Sequence, residues 1–414
     1  MSRLDARGCR VTGASAAGLR AFEHALALFQ SWRCGAEAVL EPVLQEAPDF
    51  VMARVLQAYL LLCSRDPRRV RSAVPVLART AGLPATRRER LHIAAIAAVL
   101  ADDYESAKAI LGEILRHEPV DLLALQVAHA FDYLTGDPLG MKARLDAVLP
   151  AWSDDRPGRH AVLAMHAFAL EECGDLAGAE RTAQAALALE STDARAHHVM
   201  AHVFEMTRRP AAGLRWMSDH LDVWSEGTVV AAHIWWHVAL FHLAQDDLDG
   251  ALALYDRRLA ATGDNDIAVL IDASALLWRI HLLGGATGTR WSALAAAWSS
   301  HVDDAFCTFT DLHAMLAFVG AADWALAHRL EGILRRGQSL PTRHGATTRL
   351  IGLPACRALM AFGEGNDRLA ITLMASLPPI AHRIGGSHAQ RDVLHLTMRH
   401  AIERAGRSMV FGVA

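Results

Sequence analysis

The stretch Gly174-Asp175-Leu176-Ala177-Gly178-Ala179 decides the fold, because the chain repeats it at a nearly constant interval. Related turns are Asp102-Asp103-Tyr104-Glu105-Ser106-Ala107, Gly136-Asp137-Pro138-Leu139-Gly140, Arg209-Pro210-Ala211-Ala212-Gly213 and Asp246-Asp247-Leu248-Asp249-Gly250-Ala251. A small residue in each turn falls at 106, 140, 178, 213 and 250, so the intervals are 34, 38, 35 and 37 residues. A polar turn and a small residue flanked by 3.6-residue periodicity mark one helix hairpin per repeat. Gly320-Ala321-Ala322-Asp323-Trp324-Ala325 and Gly363-Glu364-Gly365-Asn366-Asp367 read as later, degenerate turns, while residues 16–29 and 50–64 read as earlier amphipathic helices.

Composition points the same way. Alanine and leucine dominate, β-branched and aromatic residues are sparse, and 52% of the 414 residues are hydrophobic against 21% charged, a balance that favours buried helices over strands. A period near 34 is that of tetratricopeptide-like hairpins, none of which buries its apolar face without a neighbour. The expected fold is therefore all-α, a right-handed α-solenoid of tetratricopeptide-like hairpins running without a break over 1–414. Residues 1–150 match the repeat loosely, and 151–400 form a His-rich part.

The net charge of −4 provides no basic stripe for a nucleic acid and no polybasic cluster for a lipid surface. No apolar run is long enough to span a bilayer, and the first 20 residues lack a signal-peptide core. The expected location is cytoplasmic, with neither nucleic acid nor membrane as partner. Six widely spaced cysteines without a C-x-x-C pair argue against a disulfide framework and a cysteine zinc site.

The chemistry lies in the histidines. Of the 22, 18 lie at or after His160. His198-Val-Met-Ala-His202 and His233-Ile-Trp-Trp-His237 each set two imidazoles on one helical face, and the pairs are offset by 233 − 198 = 35 residues. Both fall on first helices of hairpins, which line the concave side of such an array, so the four rings are expected to face one cavity. Leu163 and Ala167 occupy the matching positions one repeat earlier, so packing does not require the motif. Trp235 and Trp236 supply an apolar wall, one of them as ordinary core. His197 stands beside the first pair as a competitor.

Later segments add opposite charge. Asp272, inside an apolar helix, needs a buried partner, either a histidine or Arg279. Asp311 and His313 are two apart and diverge by about 200° on a helix, so only one is expected to face the cavity; Asp311 reads alternatively as an N-cap. Gly385-Gly386-Ser387 reads as a turn into a helix starting near His388, where Gln390, Arg391 and Asp392 follow. Ser387 as a simple N-cap is the plainer alternative.

Taken together, His198 to Met206, His233 to His242, Ala251 to Asp256, Asp272 to Arg279, Asp311 to Phe318 and Gly385 to Asp392 resemble the tetratricopeptide repeat protein 38 family, in the family's order across residues 195–392. The resemblance implies a helical-repeat fold. It carries over no activity and no assigned site residues.

The residues support three functions. The first is a small-molecule-binding protein, and as an enzyme a metal-independent hydrolase or lyase, with His237 as general base supported by His233, His202 and His198. In it Asp311 or Asp272 orients His237, while Trp235, Trp236, His313, His388, Gln390 and Arg391 contact the ligand, Arg391 clamping an anionic group. No nucleophile elbow or Gly-rich phosphate loop is present, and no cofactor is expected. The second is a scaffold holding a peptide or protein partner in its groove. The third is a divalent-metal site on the histidine pairs and an aspartate.

Overall fold

The computed structural model describes residues 2–260 and 266–411. The chain forms two compact units, Met1–Ala231 and Ala232–Ala414. The first carries α1 (Ala16–Gln30), α2 (Ala36–Glu46), α3 (Val51–Leu62), α4 (Pro67–Ala81), α5 (Arg87–Leu100), α6 (Tyr104–His117), α7 (Leu122–Thr135), α8 (Pro138–Val148), α9 (Arg159–Glu172), α10 (Leu176–Leu189), α11 (Ala194–Met206), α12 (Pro210–Asp219) and α13 (Leu221–Trp224). From the start of the second run α14 (Ala231–Leu243), α15 (Leu248–Leu254), α16 (Ile267–Leu282), α17 (Arg290–Ser299), α18 (Thr308–Gly320), α19 (Trp324–Gly337), α20 (Arg343–Thr347), α21 (Leu353–Gly363), α22 (Asp367–Met374) and α23 (His388–Phe411). The fold is thus the helical-repeat class that the turn spacing implies. Among the described residues no helix is long and apolar enough to cross a membrane.

The repeated turn works as a helix stop joined to a helix start. In Gly174-Asp175 the glycine takes φ 86°, the Asp175 N–H donates to Leu170 O at 2.9 Å, and Asp175 Oδ1 accepts the Gly178 N–H at 2.9 Å. The first bond closes a Schellman end and the second caps the next helix. The same left-handed residue recurs at Asp102, Gly136, Arg208, Asp246, Ala322 and Gly365, and an Asp or Asn follows it as side-chain cap at Asp103, Asp137, Asp247, Asp323 and Asn366. A Cβ built on Gly140, Gly178 or Gly250 would sit 2.3 Å from the capping carboxylate, so glycine lets the cap close tightly. Arg209 breaks the pattern, having no side-chain cap; Pro210 follows it, and a proline at the first helical position has no N–H to satisfy.

The two helices of a hairpin live in different surroundings. Every residue of α11 from Ala194 to Phe204 is buried, whereas α10 buries Gly178, Ala179, Ala183 and Ala186, the stripe of a helix with water on its other side. A first helix such as α11 is therefore enclosed, and its polar groups must find partners within the protein. Some do so one repeat away. Arg88, in the first turn of α5, donates to Asp121, the N-cap of α7, at 2.7 Å, and His160 of α9 lies 2.8 Å from Asp193, the N-cap of α11. Both links span 33 residues.

Two features depart from an uninterrupted helical array. Ser2–Leu4 (β1) and Arg10–Thr12 (β2) pair antiparallel, and β2 is held by Glu89, whose oxygens accept from Thr12 N at 2.8 Å and Thr12 Oγ1 at 2.7 Å. The first unit also closes on itself. The α1–α2 loop meets the segment after α13 through Cys34 N–H to Gly227 O and Val229 N–H to Trp32 O, both 2.9 Å, while Arg33 donates to Thr192 O at 2.8 Å.

Asp121 offers a quantitative check. Burial alone would raise its carboxyl, but Arg88 and His92 beside it hold it far below the usual carboxylate range. A depressed acid contributes stability above its unfolded pKa of about 3.9 and loses that contribution as pH falls toward the folded value. Asp121→Ala, which also strips the α7 cap and strands the Arg88 charge, is expected to cost about 3–5 kcal/mol at pH 7. Urea unfolding of variant and parent should show that difference narrowing steadily below pH 4.

Candidate functional site

In the first unit the enclosed faces of α7, α9 and α11 carry polar and aromatic residues at helical spacing. Gln126, His129 and Tyr133 share one stripe of α7; Phe168, Glu171 and Glu172 lie together on α9; Arg195, His198 and His202 share one stripe of α11. Phe168 is the hub. Its ring centroid lies 5.9 Å from that of His129, 5.8 Å from Tyr133, 5.9 Å from His198 and 5.4 Å from His202. Three helices thus bring three imidazoles and a phenol around one apolar ring. Burial pushes His129 well below the ordinary imidazole range, and the charges of Arg195 and Arg144 add to this, so His129 is neutral at physiological pH.

The pair His198 and His202 is T-shaped, with ring centroids 4.5 Å apart and Nε2 atoms 3.1 Å apart. That separation suits an N–H···N bond between neutral rings, and equally two ligands of one ion. On its other edge, His202 Nδ1 lies 3.7 Å from Glu171 Oε2. Neither Glu171 oxygen has a hydrogen-bond donor among the described residues. Glu171, Glu172 and His202, all buried, offer ligand atoms within 4.8 Å of one another, an oxygen-rich set able to hold a divalent cation. His197 takes no part: Trp216 Nε1 donates to its Nδ1 at 3.2 Å, and its Nε2 lies 3.0 Å from Ser191 O.

In the second unit, His233 and His237 again stand together, at 4.9 Å between centroids. Asp272 does not orient His237. It holds His233, whose Nδ1 lies 2.9 and 3.0 Å from the two carboxylate oxygens. The His233 ring stacks on Trp236 at 13°, and Trp236 is fully buried, the core member of the tryptophan pair. Trp235 lies under the Arg258 guanidinium at 4.7 Å. Arg279, the other candidate partner for Asp272, instead ties down the first turn of α23, donating to Ala389 O and to Asp392.

Asp311 also has a different partner from the one expected. It is buried in α18 rather than at its cap, which Cys307 occupies, and it pairs with His344 Nε2 at 3.0 Å. His313 is buried as well, its Nδ1 donating to Phe309 O at 2.7 Å. Both are buried because α18 is enclosed along its length, and they meet different partners. In the C-terminal motif, Ser387 and Gln390 form a reciprocal cap, with Gln390 N–H to Ser387 Oγ at 3.3 Å and Ser387 N–H to Gln390 Oε1 at 3.2 Å. Arg391 donates to Gly386 O, holding the turn that positions His388 at the start of α23. Those bonds make Arg391 a brace of its own turn.

Sequence reading passed over His129, Glu171, Glu172, Arg195 and His344. The stripe was available for two of them, Arg195 and His129: Arg195, His198 and His202 stand at i, i+3 and i+7, and Gln126, His129 and Tyr133 repeat that spacing on α7. His344 sits in a five-residue helix, too short to show a period.

No family model matches the chain. Among solved structures, Naa15/Naa10 bound to HypK-THB is similar at 13% identity with a TM-score of 0.23, over 89% of this chain and 64% of that one. At that score the likeness carries no argument about the site.

The Asp311–His344 pair should behave opposite to Asp121. Burial raises the Asp311 carboxyl, and His344 only partly counters it. A raised acid contributes stability below its unfolded pKa and loses it as pH rises through the folded one, so Asp311 is a liability at pH 7. Asp311→Asn should therefore hold or raise Tm at pH 7 and gain nothing at pH 4. A fall in Tm at pH 7 would show a net stabilising ion pair instead.

Proposed function

We propose that the chain is a helical-repeat protein of the tetratricopeptide repeat protein 38 type that encloses a small molecule within its first unit. The carrying observation is the set of buried polar atoms on α7, α9 and α11 with no hydrogen-bond partner among the described residues: Gln126 Oε1, His129 Nδ1, both oxygens of Glu171, and Nε and Nη2 of Arg195. Leaving such atoms unpaired costs about 1–3 kcal/mol each, and more when charged. A groove made for a peptide keeps its polar groups wet. Here they are withdrawn from water on three helices, as a ligand site requires.

The same residues supply acid–base chemistry. Glu171 can accept a proton from a ligand, the neutral His129 and the His198–His202 pair can relay one, and in the second unit Asp272 orients His233 in the manner of an acid–base dyad. A metal-independent hydrolase or lyase acting in the cytoplasm is the reading this supports, and six cysteines with no disulfide among them suit a reducing compartment. The second reading is a scaffold holding a peptide or protein partner, which the stacked hairpins favour as a class.

Native mass spectrometry and elemental analysis of the purified full chain, beside Glu171→Gln, separate these readings. A bound organic molecule that Glu171→Gln loses or weakens about tenfold is the expected result. A stoichiometric metal lost in Glu171→Gln would move the site to the metal reading on Glu171, Glu172 and His202. No bound species, together with tight capture of a peptide, would leave the scaffold.

A further inference from the structure

Arg195 is only 2% exposed and sits in the first turn of α11, where its Nε and Nη2 lack any hydrogen-bond partner among the described residues. A guanidinium in that position needs a counter-charge, because its desolvation is not repaid otherwise. Asp193 supplies part of it as a neighbouring charge but makes no hydrogen bond to either of those nitrogens. Asp193 commits Oδ1 to the N–H groups of Arg195 and Ala196 and Oδ2 to His160. The Cys63 thiol is pushed up to about 12 by burial despite the Arg195 charge, so it is no thiolate at neutral pH. Burial lowers Arg195 itself to about 10, which still leaves it a cation at pH 7.

The surroundings are shaped for something beyond packing. The Trp32 ring lies over the guanidinium, 4.7 Å from its carbon, and Trp32 holds a left-handed backbone at φ 57°, costly for a bulky residue and retained where the surroundings enforce it. The enforcement is visible in the pairing of residues 32–34 with 227–229. From Trp32 the rings continue through His198, at 5.2 Å, to Phe168, at 5.9 Å from His198.

We propose that Arg195 anchors a small carboxylic acid inside the first unit, its fork holding the carboxylate while the apolar body lies along Trp32, His198 and Phe168. The proposal deepens the enclosed-ligand reading and rests on it. One guanidinium beside a neutral His129 and a neutral Cys63 matches one negative charge, and the planar fork matches a carboxylate in a bidentate pair. The row of rings selects an aromatic or aliphatic body over a polar one.

The test uses the full chain, with thermal unfolding and native mass spectrometry as readouts and benzoate, octanoate, benzamide and inorganic phosphate as probes. Benzoate or octanoate should raise the wild-type Tm, or an acid should already be bound, while benzamide has no effect. Arg195→Met should lose the acid and its Tm response yet unfold no earlier than wild type without ligand, since removing an unpaired buried cation removes a penalty. Arg195→Lys, which keeps the charge and loses the fork, should weaken binding at least tenfold. A lower Tm in Arg195→Met with the acid retained would make Arg195 structural and overturn the proposal. A response to phosphate alone would overturn the carboxylate assignment. A neutral bound molecule with no response to either acid would overturn the role of Arg195 while leaving the enclosed-ligand reading intact.

Discussion

First helices such as α11 and α18 are buried along almost their whole length, and much of the structure follows from that enclosure. An enclosed helix cannot send a polar side chain to water, so every charge on it is either paired, neutralised or held for something else. Arg88 and Asp121 are paired across one repeat, and His160 and Asp193 repeat the device at the same offset. These links set one hairpin against the next with hydrogen-bond precision, where alanine-rich packing such as that of Ala164, Ala186 and Ala196 would tolerate sliding.

The buried aspartates show how the same residue type serves opposite ends. Asp121 caps a helix, faces a guanidinium and stays ionised. Asp311 caps nothing, faces one imidazole and is driven toward its neutral form. The difference lies in how many donors reach the carboxylate, since desolvation acts on both alike. Glu171 goes further, with no donor among the described residues on either oxygen. A repeat array can carry such groups because its stability is spread over many similar interfaces.

Closure of the first unit joins segments nearly two hundred residues apart in sequence. The α1–α2 loop and the segment after α13 are far apart in sequence, yet they pair through backbone hydrogen bonds and lay Trp32 over Arg195. Neither segment has a helical period, and Trp32 pays a local backbone cost. Loops that are strained and pinned in this way are where folds carry specificity.

Local chemistry alone determined the helical hairpins. A left-handed residue, a capping aspartate and a small third residue need no distant contact to end one helix and begin the next, so their period could be read directly from residues 102–251 and followed into the weaker turns at 320–325 and 363–367. The capping turn at Ser387 was legible for the same reason, and so was the adjacency within each histidine pair. Partner choice was decided only by tertiary structure. That Asp272 meets His233, that Asp311 meets His344, that Arg391 braces its own turn and that Arg195 Nε and Nη2 find no hydrogen-bond partner among the described residues all depend on how helices dozens of residues apart are set against one another. Sequence spacing fixes which face a side chain occupies on its own helix, but the energy of a buried charge depends on what the facing helix presents, and that is a property of packing.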